Sequence, residues 1–250
     1  MKFLYMAKGA LKVKKIISAT VSMILLILLC SCGGNENLKF GDTTVEIPRE
    51  PSKDLEFTLL SDGKSYAVTG IGECQDDYIV IPSEHEGYPV TRIGKMAFSS
   101  EDIIGATIPD SVNCIEERAF AGLVYFKSVI IPDSVTEIGN SVFANCYALE
   151  DVRMSASVKQ ISEGLFFECN SLKDIDIPEG VVSIGKSAFE GCTQLYSPTL
   201  PNSLVEIGES AFAWCTYFDS VALPDSVKSI GDRAFSSCLN MREIYLGGSL

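Results

Sequence analysis

A repeat of 23 residues, present in six consecutive copies, constrains the fold of this chain more than any other feature. The copies begin at Pro109, Pro132, Ser155, Pro178, Pro201 and Pro224. A fixed period of this length is typical of a solenoid, in which each copy forms one coil and stacks on its neighbours. Solenoids bind partners with extended surfaces, so the repeat predicts a binding function as well as a fold.

Several positions of the repeat are apolar in every copy. The position eleven residues after the start of each copy holds Phe120, Phe143, Phe166, Phe189, Phe212 and Phe235. The position six residues after the start is isoleucine in all six copies, from Ile115 to Ile230. Because a single coil is too small to bury so many apolar side chains, these positions predict a continuous core that runs through all the coils.

Each copy contains signals for two strands and one helical turn. The alternating stretch before each proline, such as Val152-Arg153-Met154, predicts a strand that pairs in parallel with its equivalents. A second short strand is predicted to end at Ile-Gly, where glycines such as Gly139 would permit a bend closed to other residues. We expect one helical turn over Asp232–Cys238 and its equivalents. Pro198 stands in a strand and lacks an N–H group, so pairing should be weakened there.

These positions together resemble the repeat of the BspA-like leucine-rich repeat family, LxxIxIPxSVxxIGxxAFxxCxxL. The resemblance covers roughly residues 82–250 and is interrupted where Ser155 replaces proline and where Glu116 and Ser162 replace glycine. It implies an α/β repeat solenoid, a leucine-rich repeat right-handed superhelix with parallel strands and short helical turns. It also implies a secreted or surface-exposed bacterial protein, often linked to adhesion, from a family that is not known as catalytic.

The N-terminus indicates export and lipidation. Residues 1–31 carry lysines without acidic residues and an apolar run of fourteen residues from Ile16 to Leu29, which is typical of a signal peptide and short for a membrane span. The sequence Leu29-Cys30-Ser31-Cys32 resembles a lipobox, so we expect Cys32 to become the lipidated mature N-terminus. Lipidation would anchor the protein at the bacterial cell surface. An ordinary cleaved signal peptide with a coincidental cysteine is the alternative.

Three further segments follow the signal peptide. Residues 32–54 are polar and unperiodic, which predicts a flexible tether. Residues 55–81 contain a hairpin pattern and are predicted to be an N-terminal β cap that covers the first apolar face. Residues 82–250 form the solenoid, whose last repeat is truncated. An insertion in the first coil carries His85, the one histidine of the chain, which we expect to be a solvated loop residue.

Five cysteines share one position of the repeat, namely Cys146, Cys169, Cys192, Cys215 and Cys238. Stacked coils lie about 4.8 Å apart, whereas the Cβ atoms of a disulfide lie roughly 3.8 Å apart. This spacing favours a column of buried free thiols over disulfides, since a free cysteine packs as a small apolar side chain. No cysteine or histidine spacing suggests zinc.

The outward positions of the strand before each proline vary in chemistry, as expected for positions that face solvent, and a ligand would bind there. The predicted ligand-binding residues on this sheet face are Arg153, Asp174, Asp176, Tyr196, Thr199 and Tyr245. Four acidic residues gather in two neighbouring coils, Glu150, Asp151, Asp174 and Asp176, and could hold calcium. A solvated face neutralised by Arg153 and Lys173 is the default interpretation, so we predict no metal and no cofactor.

Aromatic residues at other variable positions are a second indication of binding. They are Tyr125, Tyr147, Phe167, Trp214 and Tyr217, together with the two tyrosines of the sheet face. Tyrosine and tryptophan are enriched in recognition surfaces, and their rings can stack on sugars. Because these residues occupy different positions of the repeat, they need not lie on one face.

Charge and motifs limit the classes of function. The formal net charge of −13 disfavours binding to nucleic acid and to anionic lipid headgroups. No catalytic triad, phosphate-binding loop or HExxH motif is present, so we predict that the protein is not an enzyme. The first hypothesis is a lipid-anchored, adhesin-like protein that binds extracellular proteins or glycans. The alternatives are a recognition module of a longer exported protein or enzyme that continues past residue 250, and a structural spacer.

Overall fold

The computed structural model of this chain describes residues 37–40, 43–46, 50–99 and 102–246. They fall into two compact units, residues 1–47 and residues 48–250. The predicted signal peptide and Cys32 lie outside the described residues. Among the residues described, no helix is long and apolar enough to cross a membrane.

The first unit contains a single described hairpin. Strand β1 (Asn37–Phe40) pairs antiparallel with β2 (Thr43–Glu46), with Phe40 opposite Thr43. This hairpin lies within the segment predicted as a tether. The last residues of that segment belong to the second unit, where the Ser52 N–H donates to the Val80 carbonyl at 2.9 Å.

The second unit is a solenoid, as the repeat predicts. Coil 1 comprises residues 82–108, and coils 2 to 7 begin at Pro109, Pro132, Ser155, Pro178, Pro201 and Pro224. Each coil has three sides in chain order. The short-strand side ends at the isoleucine that recurs in each copy. The turn side carries the recurring phenylalanine, and the long-strand side precedes the next coil.

The long-strand side forms two separate parallel sheets. The first contains β5 (Tyr78–Val80), β8 (Gly105–Thr107), β10 (Ser128–Ile130) and β12 (Asp151–Arg153). The second contains β16 (Ser220–Ala222) and β18 (Glu243–Tyr245).

The equivalent segments of coils 4 and 5 form no strand. The Ile175 N–H donates to the carboxylate of the preceding residue, Asp174, at 2.9 Å. Pro198 has no N–H to donate to a neighbouring coil. The weakened pairing predicted at Pro198 is therefore confirmed, and Asp174 extends the interruption by one coil.

The short-strand side also forms two sheets, and they meet at coil 4. The first contains β3 (Glu56–Leu59), β4 (Tyr66–Gly70), β7 (Tyr88–Ile93), β9 (Cys114–Ile115) and β11 (Glu137–Ile138). The second contains β13 (Gln160–Ile161), β14 (Ser183–Ile184), β15 (Glu206–Ile207) and β17 (Ser229–Ile230). Strands β3 and β4 are the antiparallel hairpin expected at the N-terminal cap, and β4 pairs in parallel with β7 of coil 1.

A serine replaces a glycine where the two short-strand sheets meet. In most coils the glycine after the isoleucine donates its N–H to the isoleucine carbonyl of the preceding coil, as Gly185 does to Ile161 at 2.8 Å. In coil 4 the Ser162 hydroxyl donates to the Ile138 carbonyl. A side-chain hydrogen bond thus takes the place of a main-chain bond at this junction.

The turn side is not helical, so the prediction of short helical turns is wrong. The described residues contain no helix, and in coils 2 to 7 two residues of each turn have a positive φ, such as Ser141 (57°) and Asn145 (61°) in coil 3. A right-handed helix requires negative φ at every residue. Alternate N–H groups here donate to the next coil, as Phe120 does to Val142 at 3.0 Å, and those between them donate within the turn, as Ala121 does to Arg118 at 3.1 Å. In an α-helical turn each N–H would instead donate to the carbonyl four residues earlier.

The phenylalanines form a continuous stack through the core. Successive rings from Phe98 to Phe235 are nearly parallel, with centroids 5.1 Å apart at the closest pair, Phe189 and Phe212, and 5.7 Å apart at the widest, Phe143 and Phe166. All but the last of these rings are fully buried. Aromatic side chains bury a large apolar area each, so this stack contributes much of the stability of the solenoid.

The glycines of the short-strand side serve close packing rather than a bend. Gly139, Gly185 and Gly208 do not have positive φ, so the predicted reason for them is wrong. A Cβ on Gly208 would lie 2.7 Å from the carbonyl carbon of Gly185, and one on Gly139 would lie 2.5 Å from the Glu117 nitrogen. Glycine is required because the backbones of adjacent coils approach closely.

The cysteine column consists of free thiols, which confirms the prediction from the spacing. Cys146, Cys169, Cys192 and Cys215 are buried, and Cys238 in the last coil is partly exposed. Each Sγ donates to the phenylalanine carbonyl of the preceding coil, as Cys192 does to Phe166 at 3.1 Å. Burial raises the pKa of Cys146 to about 12 and that of Cys238 to about 11.

The insertion in coil 1 packs against the cap, so the prediction that His85 is a solvated loop residue is wrong. Strand β6 (Glu84–His85) pairs antiparallel with β7. The His85 ring stacks on Phe57 with centroids 4.0 Å apart and meets the Tyr66 ring edge-on at 4.8 Å. The Tyr66 hydroxyl donates to the Glu86 carboxylate at 2.6 Å. These contacts fasten the insertion to the hairpin of the cap.

Candidate binding surface

The six predicted ligand-binding residues all lie on the long-strand side and are all exposed. They are Arg153 in coil 3, Asp174 and Asp176 in coil 4, Tyr196 and Thr199 in coil 5, and Tyr245 in coil 7. Between them, inward-facing residues such as Ile175 and Val221 are 3% and 2% exposed. The predicted alternation therefore holds even where coils 4 and 5 lack strands, except that Tyr196 is exposed at a position that alternation would turn inward.

In coils 3 and 4 two basic side chains are each paired with an acidic one, Arg153 within its own coil and Lys173 across to the preceding coil. Arg153 Nη2 lies 3.5 Å from Asp133 Oδ2, and Lys173 Nζ lies 3.2 Å from Glu150 Oε2. Burial raises the pKa of Asp151, and the charge of Glu150 adds to this shift. In the part of the chain that the structure describes, no group of three or more histidine, cysteine or acidic residues could hold a metal ion.

In coils 5 to 7 two of the predicted residues, Tyr196 and Tyr245, each contact residues that were not predicted. The Tyr196 hydroxyl donates to Asp219 Oδ2 at 3.5 Å, and Arg242 Nε lies 3.3 Å from Asp219 Oδ1. The Tyr245 hydroxyl donates to the Glu243 carboxylate. This hydrogen bond, the charge of Glu243 and that of Asp219 raise the pKa of Tyr245.

Sequence reasoning missed Asp219, Arg242 and Glu243, although a signal for them exists. Asp219 and Arg242 occupy the same position of the repeat as Tyr196, one and two periods later. Comparing residues that are 23 positions apart places Tyr196, Asp219 and Arg242 in one row across the coils.

The centre of this region is lined by small side chains. Ala222 is paired in register with Tyr245, and Ser220 with Glu243. Ser197 of coil 5 continues the serine row, since its hydroxyl accepts a hydrogen bond from the Ser220 N–H at 3.2 Å. We call this patch, in which small side chains lie between two exposed tyrosines, the tyrosine trough. Its frame consists of Tyr196, Asp219, Arg242, Glu243 and Tyr245, and its floor of Ser197, Ser220 and Ala222.

The other aromatic residues do not join this surface. Tyr125, Tyr147, Trp214 and Tyr217 are 57%, 45%, 55% and 52% exposed. They lie in the turn segment or in the stretch that links it to the long strand, and Phe167 is half-buried. The structure therefore separates these aromatics from the tyrosines of the sheet face.

A groove lies on the short-strand side, near the meeting point of its two sheets. It is an open groove of about 600 Å³ lined mainly by polar residues, among them Cys114, Glu116, Glu137, Asn140 and Gln160. Arg92 Nη1 lies 2.9 Å from Glu116 Oε1 beside it. Burial raises the pKa of Cys114, while the charge of Arg92 opposes this shift.

Comparison with known proteins identifies the repeat. A family model described as a BspA type leucine rich repeat region in six copies matches residues 91–215 and 183–250. No curated protein is significantly similar to the chain.

Two solved structures of leucine-rich repeat proteins are similar to this one. One, from T. pallidum, is 29% identical, covers 81% of this chain and 83% of its own, and has a TM-score of 0.59. The other, from Eubacterium ventriosum, is 26% identical and has a TM-score of 0.62. That match covers 68% of this chain and 45% of its own.

Proposed function

The chain belongs to the family of BspA type leucine rich repeat proteins, and on that premise we propose that it is a lipid-anchored protein of the bacterial surface that binds extracellular proteins or glycans. The long-strand side is the proposed binding surface. The protein acts by binding and performs no catalysis in this proposal.

One observation carries the proposal. On the long-strand side of coils 3 to 7, inward residues are apolar throughout, whereas outward residues are exposed or half-buried and differ in chemistry from coil to coil. Packing requires the first pattern, but nothing in the packing requires the second. An exposed surface whose chemistry changes along the solenoid is suited to recognition of a partner.

Charge narrows the class of partner. The net charge of −13 favours neutral or cationic partners, because polyanions such as nucleic acids would be repelled. Arg153 and Lys173 are each paired with an acidic residue, so they offer little free positive charge on this side.

The anchoring part of the proposal rests on the lipobox-like sequence that ends at Cys32. The test is expression with a labelled fatty acid, followed by mass spectrometry of the mature N-terminus. We expect label on the wild-type chain and none on Cys32→Ser, with Cys30→Ser as the matched control that keeps the label. Label that persists in Cys32→Ser would contradict this assignment.

The binding part is tested with the purified chain on an array of extracellular matrix proteins and glycans. We expect binding that a triple variant, Arg153→Ala, Asp176→Ala and Tyr196→Ala, weakens or abolishes. A triple variant on the turn side, Tyr125→Ala, Tyr147→Ala and Trp214→Ala, serves as the control for loss of exposed side chains. Absence of binding by the folded wild-type chain across the array would contradict the proposal and favour the structural-spacer alternative.

A further inference from the structure

We propose that the tyrosine trough is a binding site for a neutral oligosaccharide. This inference rests on the proposed function and names the class of ligand for one part of the long-strand side. It concerns coils 5 to 7, where the chemistry of the surface differs from that of coils 3 and 4.

The residues of the trough match the two chemistries that a sugar offers. A sugar ring has an apolar face of C–H groups, which packs against an aromatic ring, and an edge of hydroxyl groups, which donate and accept hydrogen bonds. The rings of Tyr196 and Tyr245 are 59% and 56% exposed. The carboxylates of Asp219 and Glu243 accept hydrogen bonds from hydroxyl groups, and the guanidinium of Arg242 donates them.

Several side chains of the trough contact one another in the absence of a ligand. Asp219 accepts from the Tyr196 hydroxyl and is paired with Arg242, while Glu243 accepts from the Tyr245 hydroxyl. Side chains that already make such contacts lose less conformational freedom on binding. This matters for a small polar ligand, whose contacts supply little surplus free energy.

The dimensions favour an oligosaccharide over a monosaccharide. Tyr196 and Tyr245 are two coils apart along the solenoid, or about 10 Å, and three residues apart along the strand direction, again about 10 Å. The diagonal between their backbones is therefore about 14 Å, which is longer than one sugar ring. Ser197, Ser220 and Ala222 leave the space between the tyrosines open, so a chain of sugars could contact both.

The charges favour a neutral glycan over a sulfated or sialylated one. Asp219 and Glu243 contribute two negative charges against the one positive charge of Arg242, within a chain of net charge −13. An anionic glycan would meet two carboxylates in the trough.

A folded protein is a poorer match for this surface. Protein interfaces usually bury about 800 Å² per partner around an apolar core. The floor of the trough consists of two serines and an alanine and offers no such core.

The test uses the purified full chain on an array of neutral oligosaccharides, sulfated and sialylated oligosaccharides, and matrix proteins. We expect binding to neutral oligosaccharides, weakened at least about tenfold by Tyr196→Ala and by Tyr245→Ala. Asp219→Asn should also weaken binding, because it loses the charge that holds Tyr196 and Arg242. Tyr217→Ala is the matched control, since it removes an equally exposed tyrosine outside the trough, and it should bind as the wild type does. The thermal melting of each variant verifies that it is folded.

The outcomes separate this inference from the proposed function. Binding to neutral oligosaccharides that is lost in the trough variants and retained in Tyr217→Ala supports the inference. Glycan binding retained in both trough variants, or binding confined to anionic glycans, overturns it. Binding to matrix proteins alone through the long-strand side overturns the inference and leaves the proposed function standing. Absence of binding to every ligand by the folded chain overturns both.

Discussion

The turn side and the long-strand side of the solenoid differ in continuity. On the turn side, main-chain hydrogen bonds join every neighbouring pair from coil 1 to coil 7, from Met96 donating to Glu117 through to Trp214 donating to Ser236. On the long-strand side, the ladder stops after β12 and resumes at β16. The turn side therefore joins the coils without interruption, whereas the long-strand side tolerates a break in its ladder. The candidate binding surface lies on the less regular of these two sides.

Removal of a buried ring from the turn side should have the largest effect on stability. Phe143→Ala should lower the free energy of unfolding by about 3–5 kcal/mol, because a fully buried ring leaves a cavity between two stacked neighbours. Denaturant unfolding followed by circular dichroism measures the change. The control Tyr147→Ala removes a largely exposed ring and should change stability by about 0.5 kcal/mol or less. Equal effects of the two variants would show that the phenylalanine stack is not the main support.

A methyl group between adjacent coils should have the next largest effect. Gly208→Ala places a Cβ 2.7 Å from the Gly185 carbonyl carbon, so the two coils must separate, at a cost of about 1–3 kcal/mol. The matched control is Glu206→Ala, which lies two residues earlier and faces solvent. The midpoint of urea unfolding compares the two variants. If Gly208→Ala were as stable as the control, the close approach of the coils would not be needed.

The buried thiols of the turn side predict how stability depends on pH. Burial raises the pKa of Cys192 above its usual value of 9.0. The unfolded chain therefore loses thiol protons first, and the free energy of unfolding falls as the pH rises above about 9. Each thiol contributes a fall of about 1.4 kcal/mol per pH unit in that range.

The variant Cys192→Ala separates the thiols from other groups that titrate at high pH. Its free energy of unfolding, measured between pH 7 and pH 11, should decline less steeply above pH 9 than that of the wild type. Parallel slopes for the wild type and Cys192→Ala would contradict the role of the column.

The smallest effect on stability is expected from a substitution on the long-strand side. Pro198→Val restores an N–H donor in coil 5 and should increase the protection of amides in residues 197–199 and 220–222 from hydrogen exchange. The gain of one hydrogen bond and the loss of the rigid proline roughly cancel, so stability should change by less than about 1 kcal/mol. Unchanged protection would mean that Asp174, rather than Pro198, sets the interruption. Asp174→Ala then becomes the variant that should restore it.

Most of the coil could be predicted from the sequence because the repeat averages over six copies. The phenylalanine stack, the two strands and the unpaired cysteines follow from positions that are the same in each copy. The helical turn was predicted wrongly because a short stretch such as Asp232–Cys238 can satisfy its N–H groups within itself or in the next coil. Sequence spacing within one copy does not distinguish these two patterns.

The candidate site was predicted in part, for the same reason. The outward positions of Arg153 and Tyr245 follow from alternation along one strand, and that of Tyr196 from the varied chemistry of its repeat position. The contacts that Asp219 makes with Tyr196 and Arg242 join three coils, and alternation along a single strand does not report them.

By itself the sequence determined that this chain forms a stack of coils with one apolar core, because a period of 23 residues repeats the same buried positions. Which groups of neighbouring coils contact one another is known only from the tertiary structure. In the tertiary structure, alternate turn N–H groups bond across coils, glycines make room for an adjacent backbone, and His85 packs on the cap. The physical reason is that these contacts depend on the distance between coils, and that distance arises only when the coils are stacked.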